Sequence, residues 1–321
     1  MTNACHVETY PRGSRHRLRA VPGLVGALLV LLSACSGAAH QLPATTYQPT
    51  PHALPAFSHL FVVVLENREY GDVIGAPDAP YLNRLAQTYG LATASYAISH
   101  PSLPNYLALV GGDIFGIQSD CTTCFVHAPN LVDALEAGHK TWTAYMEDLP
   151  QSCLVGDAGL YAQKHDPFIY FDDIRTNPAR CQHLVPLAPL ASELTSGHVP
   201  DLVWITPNLC SDMHDCSTAT GDAWLAMWVP RILASTAWRD GGALFLTWDE
   251  GTTSDGCCQA AHGGHIATLV ISPLGKPRYQ SHTPYDHYSL LRTITEAWGL
   301  RPLGHAADPA ARPFVDFFPK A

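Results

Sequence analysis

The sequence predicts an α/β fold: a mostly parallel central sheet sandwiched by helices, in one domain with loop insertions. Two observations carry that expectation. Four continuous apolar runs, Phe61–Leu65, Leu202–Ile205, Ala243–Trp248 and Ile266–Ile271, have the length and β-branched content of strands buried on both faces. Each adjoins acidic, amide or histidine residues on one flank, so the polar residues are expected at one edge of a sheet, where ligand sites of such folds lie.

In chain order, Phe61-Val62-Val63-Val64-Leu65 is the first strand, and Glu66-Asn67 follow it. Residues Pro80 to Tyr89 carry apolar positions at helical spacing. Next comes Ser99-His100-Pro101-Ser102-Leu103-Pro104-Asn105-Tyr106, a loop turning into a helix. Pro104 suits a first helical turn, and Gly111-Gly112 stop the run Tyr106–Val110. A serine there is either an N-cap or a hydroxyl nucleophile facing free N–H groups and the positive helix end. Residues Gly116 to Asn130 read as a loop near Ser102, and Asp148 to Pro189 as a loop-rich insertion carrying Lys164-His165. Leu202–Ile205 is followed by Pro207-Asn208 and Asp212-Met213-His214-Asp215, and Ala243–Trp248 by Asp249-Glu250-Gly251. In the last run the order reverses, with His262-Gly263-Gly264-His265 leading into the strand. Residues Ser289 to Trp298 form the final helical pattern, and Asp286 is either its N-cap or part of the site.

Carboxylates gathered at three strand ends repel one another unless a cation lies between them. Carboxylate, amide and imidazole donors suit Zn, Mg, Ca or Mn. Gly-x-Ser-x-Gly, a P-loop and His-Glu-x-x-His do not occur, so a nucleophile-elbow hydrolase, an NTPase and a zincin are disfavoured.

The motifs Val64-Leu65-Glu66-Asn67, His100 to Tyr106, Lys164-His165-Asp166-Pro167-Phe168, Pro207-Asn208 with Asp212-Met213-His214-Asp215, Trp248-Asp249-Glu250-Gly251 and His262-Gly263-Gly264-His265 follow one another in a recognisable order. In that order the sequence resembles the bacterial phosphoesterases that include secreted acid phosphatases and phospholipases C, within the alkaline-phosphatase-like superfamily. Within that family it resembles secreted mycobacterial-type acid phosphatases thought to act on phosphoinositides. The resemblance implies a metal-dependent phosphomonoesterase working through a phosphoserine intermediate. It implies Ser102 as nucleophile, with His214 or His165 protonating the leaving oxygen. Asn105, Lys164 and His100 are implied as substrate contacts. Glu66, Asn67, Ser102, Asp249, Glu250, Asp215 and His265 are implied as the surroundings of a divalent metal, Ca, Zn, Mg or Mn. Two-metal relatives carry Asp-His where this chain has Asp249-Glu250, and their Asp-x-x-x-His pair has no clean counterpart, so the metal count stays open. A phosphodiesterase or phospholipase C with the same site is one alternative. A non-catalytic metal- or solute-binding lipoprotein is the other.

Arg12, Arg15, Arg17 and Arg19 precede the apolar run Val21–Leu32, and Leu32-Ser33-Ala34-Cys35 has the form of a lipobox. The expected organisation is a signal peptide over 1–34, a lipidated tether over 35–54 starting at Cys35, and a phosphoesterase domain over 55–321. That places the protein in the cell envelope, attached to the membrane by its lipid, or secreted. Besides Cys5 and Cys35 there are eight cysteines in sequence-close pairs, Cys121 with Cys124, Cys153 with Cys181, Cys210 with Cys216, and Cys257 with Cys258. An even set in an exported chain argues for disulfides, and Cys121-x-x-Cys124 alternatively has zinc-ligand spacing. A bond between the neighbours Cys257 and Cys258 would close a strained ring, so different partners are expected for them. Leaving out the leader's four arginines and Glu8, the chain holds 14 basic and 27 acidic residues, a net charge of −13. No basic stripe is present, which argues against nucleic-acid partners and against adsorption to anionic lipid. A small phosphate ester or a phosphoinositide headgroup is the expected substrate.

Overall fold

The computed structural model describes residues 54–320; the expected leader, Cys35 and most of the tether lie outside them. Among the described residues, nine strands form one sheet. They are β1 (Leu60–Leu65), β2 (Gly90–Tyr96), β3 (Trp142–Met146), β4 (Leu184–Pro186), β5 (Leu202–Thr206), β6 (Ala243–Trp248), β7 (His265–Ile271), β8 (Gln280–Ser281) and β9 (Tyr285–Asp286). Their order is β4-β3-β5-β1-β6-β7-β2-β8, with β9 also beside β2. Every neighbouring pair is parallel except those of β7, which runs against both β6 and β2.

All six β1 residues are fully buried, which is why the run is apolar throughout. Alternation distributes them to the two faces. Leu60, Val62 and Val64 pack in one core with the helices Ser102–Gly111, Leu131–Ala137 and His287–Ala297. Phe61, Val63 and Leu65 pack in the other with Pro80–Thr88, Leu190–Ser196 and Thr218–Ala234. The sheet is thus covered on both sides, and each of those side chains contributes about 1.5–3 kcal/mol by burial.

The four runs expected as strands are β1, β5, β6 and β7. Register pairs Leu60 with both Leu202 and Ala243, so the carboxyl ends of β5, β1 and β6 lie side by side. Because β7 is reversed, its first residue, His265, stands opposite Tyr96 at the end of β2, near that same rim. The Ser102 helix follows β2 from the rim and is buried along all ten residues. Gly112 closes it at φ 74°, a left-handed cap that glycine adopts freely. Asp286 caps the His287 helix in a capping box with Ser289.

Among the described residues, four disulfides join Cys121 to Cys124, Cys153 to Cys181, Cys210 to Cys216 and Cys257 to Cys258. The last corrects the expectation that the adjacent cysteines take different partners. The other six described cysteines are bonded among themselves, and a turn with Cys258 and Gln259 at φ 59° and 76° brings the two sulfurs together. No helix among the described residues is long and apolar enough to cross a membrane.

Candidate active site

The site is stitched together by backbone bonds at the sheet rim. Glu66 N–H donates to Asp212 O at 2.9 Å, and Asp249 N–H to Leu65 O at 2.9 Å. Asn67 turns the chain at φ 52°, and its N–H donates to Asp249 Oδ1 at 3.1 Å. Glu66, Asp212 and Asp249 are all completely buried, and Glu250 nearly so.

Ser102 is the first residue of its helix, preceded by the cis His100–Pro101 bond. Its hydroxyl does not cap the helix. It reaches Glu66 Oε2 at 3.0 Å and Glu250 Oε1 at 3.3 Å. Lys164 Nζ donates to Ser102 Oγ at 3.2 Å, lies 3.2 Å from His214 Nε2, and donates to Asp120 Oδ2 at 3.1 Å. Asp120 Oδ1 also accepts from Leu103 N–H at 3.0 Å, so this carboxylate ties Lys164 to the start of the helix. His214 Nδ1 is 2.7 Å from Asp215 Oδ1.

His165 stands behind this group, stacked on Tyr106 with ring centres 5.4 Å apart. Its Nε2 is 3.0 Å from Glu66 Oε1 and its Nδ1 3.1 Å from Asp212 Oδ2. The distances suit hydrogen bonds but the directions do not, and all four atoms remain without a hydrogen-bond partner, as do Asp249 Oδ2 and the Tyr106 hydroxyl. Buried polar atoms left unpaired are costly, so such a cluster calls for another group between them. Glu66, Asp212 and His165 each offer a ligand atom, all within 4.8 Å of one another. Two carboxylates and an imidazole form a donor set that fits a divalent cation.

Electrostatics tell the same story. Burial alone would raise Glu66, but His165 and then Lys164 hold its carboxyl down at about 2. Burial likewise works against a charged His165, and the Glu66 and Asp212 carboxylates overcome it, lifting the ring to about 9. Asp249 is pushed well up by burial and by repulsion from Glu66 and Glu250. Burial also raises Asp212 and Glu250, against the pull of His165 on the one and His100 on the other. The site holds more negative charge than its own cations neutralise.

Of the residues expected in the site, Glu66, Ser102, Lys164, His165, His214, Asp249 and Glu250 are brought together, with Asn67 at the edge. His100 bonds Glu250 through Nδ1 and Thr253 O through Nε2. Three residues stand differently from expectation. Asn105 spends its amide on the chain: Oδ1 accepts from Ile98 and Ser99 N–H, and Nδ2 donates to Ser99 and Pro101 carbonyls. His265 stacks between Tyr70 and Tyr96 and bonds Thr93 O through Nε2, away from the carboxylates. Asp215 is half exposed and serves His214, while Asp212 takes the inner position. Asp212 and Asp120 were not among the expected site residues. Asp212 had a signal, as the first acid after β5, whereas Asp120 had none in its loop.

The profile of the phosphoesterase family matches residues 76–301. A phosphatidylinositol-3-phosphatase of Mycobacterium tuberculosis is 33% identical over 307 residues, 94% of each chain. An acid phosphatase of Aspergillus fumigatus is 30% identical over 264 residues, which are 78% of this chain and 56% of that one. Among solved structures, an alkaline phosphatase superfamily protein from Vibrio parahaemolyticus shares the fold at a TM-score of 0.55 and 12% identity, over 81% of this chain and 72% of that one. The lipoteichoic acid synthase LtaP of Listeria monocytogenes does so at 0.55 and 11%, over 81% and 76%. With a serine hydroxyl set among carboxylates at the rim of such a sheet, this chain belongs to the phosphoesterase family and is a hydrolase of phosphate ester bonds.

Proposed function

We propose that the chain is a metal-dependent phosphomonoesterase in which Ser102 attacks phosphorus. The observation that carries this reading is the Ser102 hydroxyl, held between Glu66 and Glu250 on one side and Lys164 on the other. Glu250 accepts its proton, and both carboxylates aim the oxygen. Lys164, a cation beside the nucleophile, meets the phosphoryl oxygens and favours a monoester, which carries one more negative oxygen than a diester. Asp215 accepts at His214 Nδ1, which fixes the ring with Nε2 3.2 Å from Lys164 Nζ; the proton shared by this Lys164–His214 pair goes to the leaving oxygen and is regained from the water that cleaves phosphoserine. A divalent cation, Ca, Zn, Mg or Mn, held by Glu66, Asp212 and His165 beside Asp249, Glu250 and Asn67, would supply positive charge that acidifies the Ser102 hydroxyl.

The substrate is a small phosphate monoester, and the mycobacterial relative's name makes a phosphoinositide headgroup a reasonable member of that class. Four disulfides support a life outside the cytoplasm, consistent with a leader over 1–34 and a lipid on Cys35 as membrane attachment. The test is hydrolysis of p-nitrophenyl phosphate beside bis-p-nitrophenyl phosphate, with and without chelator. Monoester turnover lost to chelator, regained with one metal, and reduced at least ~10³-fold in Ser102→Ala supports the reading. Diester turnover alone overturns it, and Ser102→Ala at wild-type rate removes the nucleophile assignment.

A further inference from the structure

Asp120 stands outside the buried carboxylate cluster, yet both of its oxygens are spent on the nucleophile's end of the site. Oδ2 accepts from Lys164 Nζ at 3.1 Å, and Oδ1 accepts from Leu103 N–H at 3.0 Å, one residue past Ser102. Lys164 Nζ in turn donates to Ser102 Oγ at 3.2 Å. The bonds close a ring from Ser102 to Lys164, to Asp120, to Leu103 and back along the helix. That ring fixes the ammonium relative to the helix that carries the nucleophile.

The segments bearing the two charges are laced together without this pair. Gln163, next to Lys164, is completely buried, and its Nε2 donates to Thr122 O at 3.0 Å. Thr122 lies inside the Cys121–Cys124 ring that begins just after Asp120. Further on, Val126 N–H donates to Tyr170 O at 2.8 Å and Asp172 N–H to Val126 O at 2.9 Å. The side chain of Asp120 is 31% exposed, and an ion pair that open adds little to the stability of a fold. What Asp120 adds is the place of one charge.

An ammonium has three donors, and here each has a partner: Ser102 Oγ, Asp120 Oδ2 and His214 Nε2. A lysine stem is long and flexible, so its charge stays where its partners hold it. Among the described residues, Asp120 is the one carboxylate in ion-pair contact with Nζ. On the other side lies Glu66, whose carboxyl Lys164 helps to hold down. Without Asp120 the ammonium would follow that attraction, pair with the carboxylate that aims Ser102, and leave its position between Ser102 and His214.

We propose that Asp120 is a positioning residue of the phosphate site, holding the Lys164 ammonium beside Ser102 Oγ and His214 Nε2 where it meets the phosphoryl group. The inference rests on the phosphomonoesterase reading above. Asp120 acts through Lys164 and does not itself touch substrate.

The experiment is a double-mutant cycle of Asp120→Asn and Lys164→Met on p-nitrophenyl phosphate hydrolysis, with the activating divalent metal present. Asp120→Asn keeps an acceptor for Leu103 N–H and loses the charge. With Lys164 in place it is expected to lower kcat/KM by about tenfold or more, the worth of one hydrogen bond to a charged group. In Lys164→Met it is expected to change the rate by less than about twofold, because nothing is left to position. Asp120→Glu, which keeps the charge one methylene further out, is expected to recover part of the loss. The same cycle on the affinity for orthovanadate, a mimic of pentacoordinate phosphorus, is read by titration calorimetry, needs no turnover, and is expected to show the same pattern. Asp120→Asn at the wild-type rate and affinity overturns the proposal. So does an equal loss with and without Lys164, which is what a merely structural tie would give. Wild type that binds orthovanadate but turns over no monoester overturns instead the phosphatase reading beneath it.

Discussion

Replacing Asn105 by Ala separates two roles that the same residue could play. As a phosphoryl contact, its loss would slow turnover and leave the fold intact. The structure gives it a different task. Its amide makes four bonds to the loop before Ser102, at 2.9 Å from Ile98 N, 2.9 Å from Ser99 N, 2.7 Å to Ser99 O and 3.2 Å to Pro101 O. The side chain is completely buried, so a truncation strands two N–H groups and two carbonyls. Each such group costs about 1–3 kcal/mol when fully dry, and the partly exposed ones regain some of this from water. The expected destabilisation is about 3–5 kcal/mol, which for a domain of this size lowers the melting temperature by roughly 10 °C. Scanning calorimetry and urea unfolding at neutral pH read it directly. Turnover falls too, because Ser102 is three residues away on the same turn. A variant that melts with wild type yet has lost turnover would refute the scaffold argument and return Asn105 to the substrate.

Three further outcomes follow from the site. His287 is buried and held down at about 4, and its Nε2 meets the Asp249 carbonyl. The unfolded chain takes up this proton near pH 6.5 and the folded chain only near 4, so the contribution is full above about 6.5 and declines as pH falls towards 4, by about 3 kcal/mol in all; His287→Gln should show a correspondingly smaller loss between pH 7 and 4.5 in urea unfolding. A saturating divalent cation should raise the melting temperature of chelator-treated protein, by the equivalent of about 2.7 kcal/mol at a hundredfold excess over Kd, and Asp212→Asn should weaken that response, while Asp215→Asn should not. Gly264 lies at φ 99°, and an added Cβ would come 2.7 Å from Glu69 Oε1 and from Gly251 Cα, so Gly264→Ala should lower both stability and turnover.

The strands that build the rim were legible because burial on both faces leaves only apolar residues, as in β1, β5, β6 and β7. The reversed β7 could be read from its polar residues, which precede the strand instead of following it. Strand β2 carries small and polar residues over Gly90–Tyr96 and a register shift between Ala92 and Ser95, and neither signals a strand. β3, β4, β8 and β9 are short, and their pairing partners come from distant parts of the chain. Within the site, the segment Asp212-Met213-His214-Asp215 announced an acid but not which one. Met213 is fully buried with φ 82°, and this left-handed turn sends Asp212 inward and leaves Asp215 outside. Asn105 and His265 were legible as polar residues near the rim. Whether a side chain faces the ligand or the backbone depends on contacts that spacing does not encode.

Three of the four cross-links close very short loops, of 3, 6 and 1 residues' separation, and each lies at the rim. Cys121 follows Asp120, the Cys210–Cys216 ring encloses Asp212, His214 and Asp215, and Cys257–Cys258 belongs to the loop that runs on from Glu250. Rings this small remove little entropy from the unfolded chain, so they add little to the stability of the whole. Their effect is local precision. Opening these three rings would therefore blunt catalysis while the sheet and its two cores stay folded. The site's geometry, more than the sheet beneath it, would then follow the oxidation state of its surroundings.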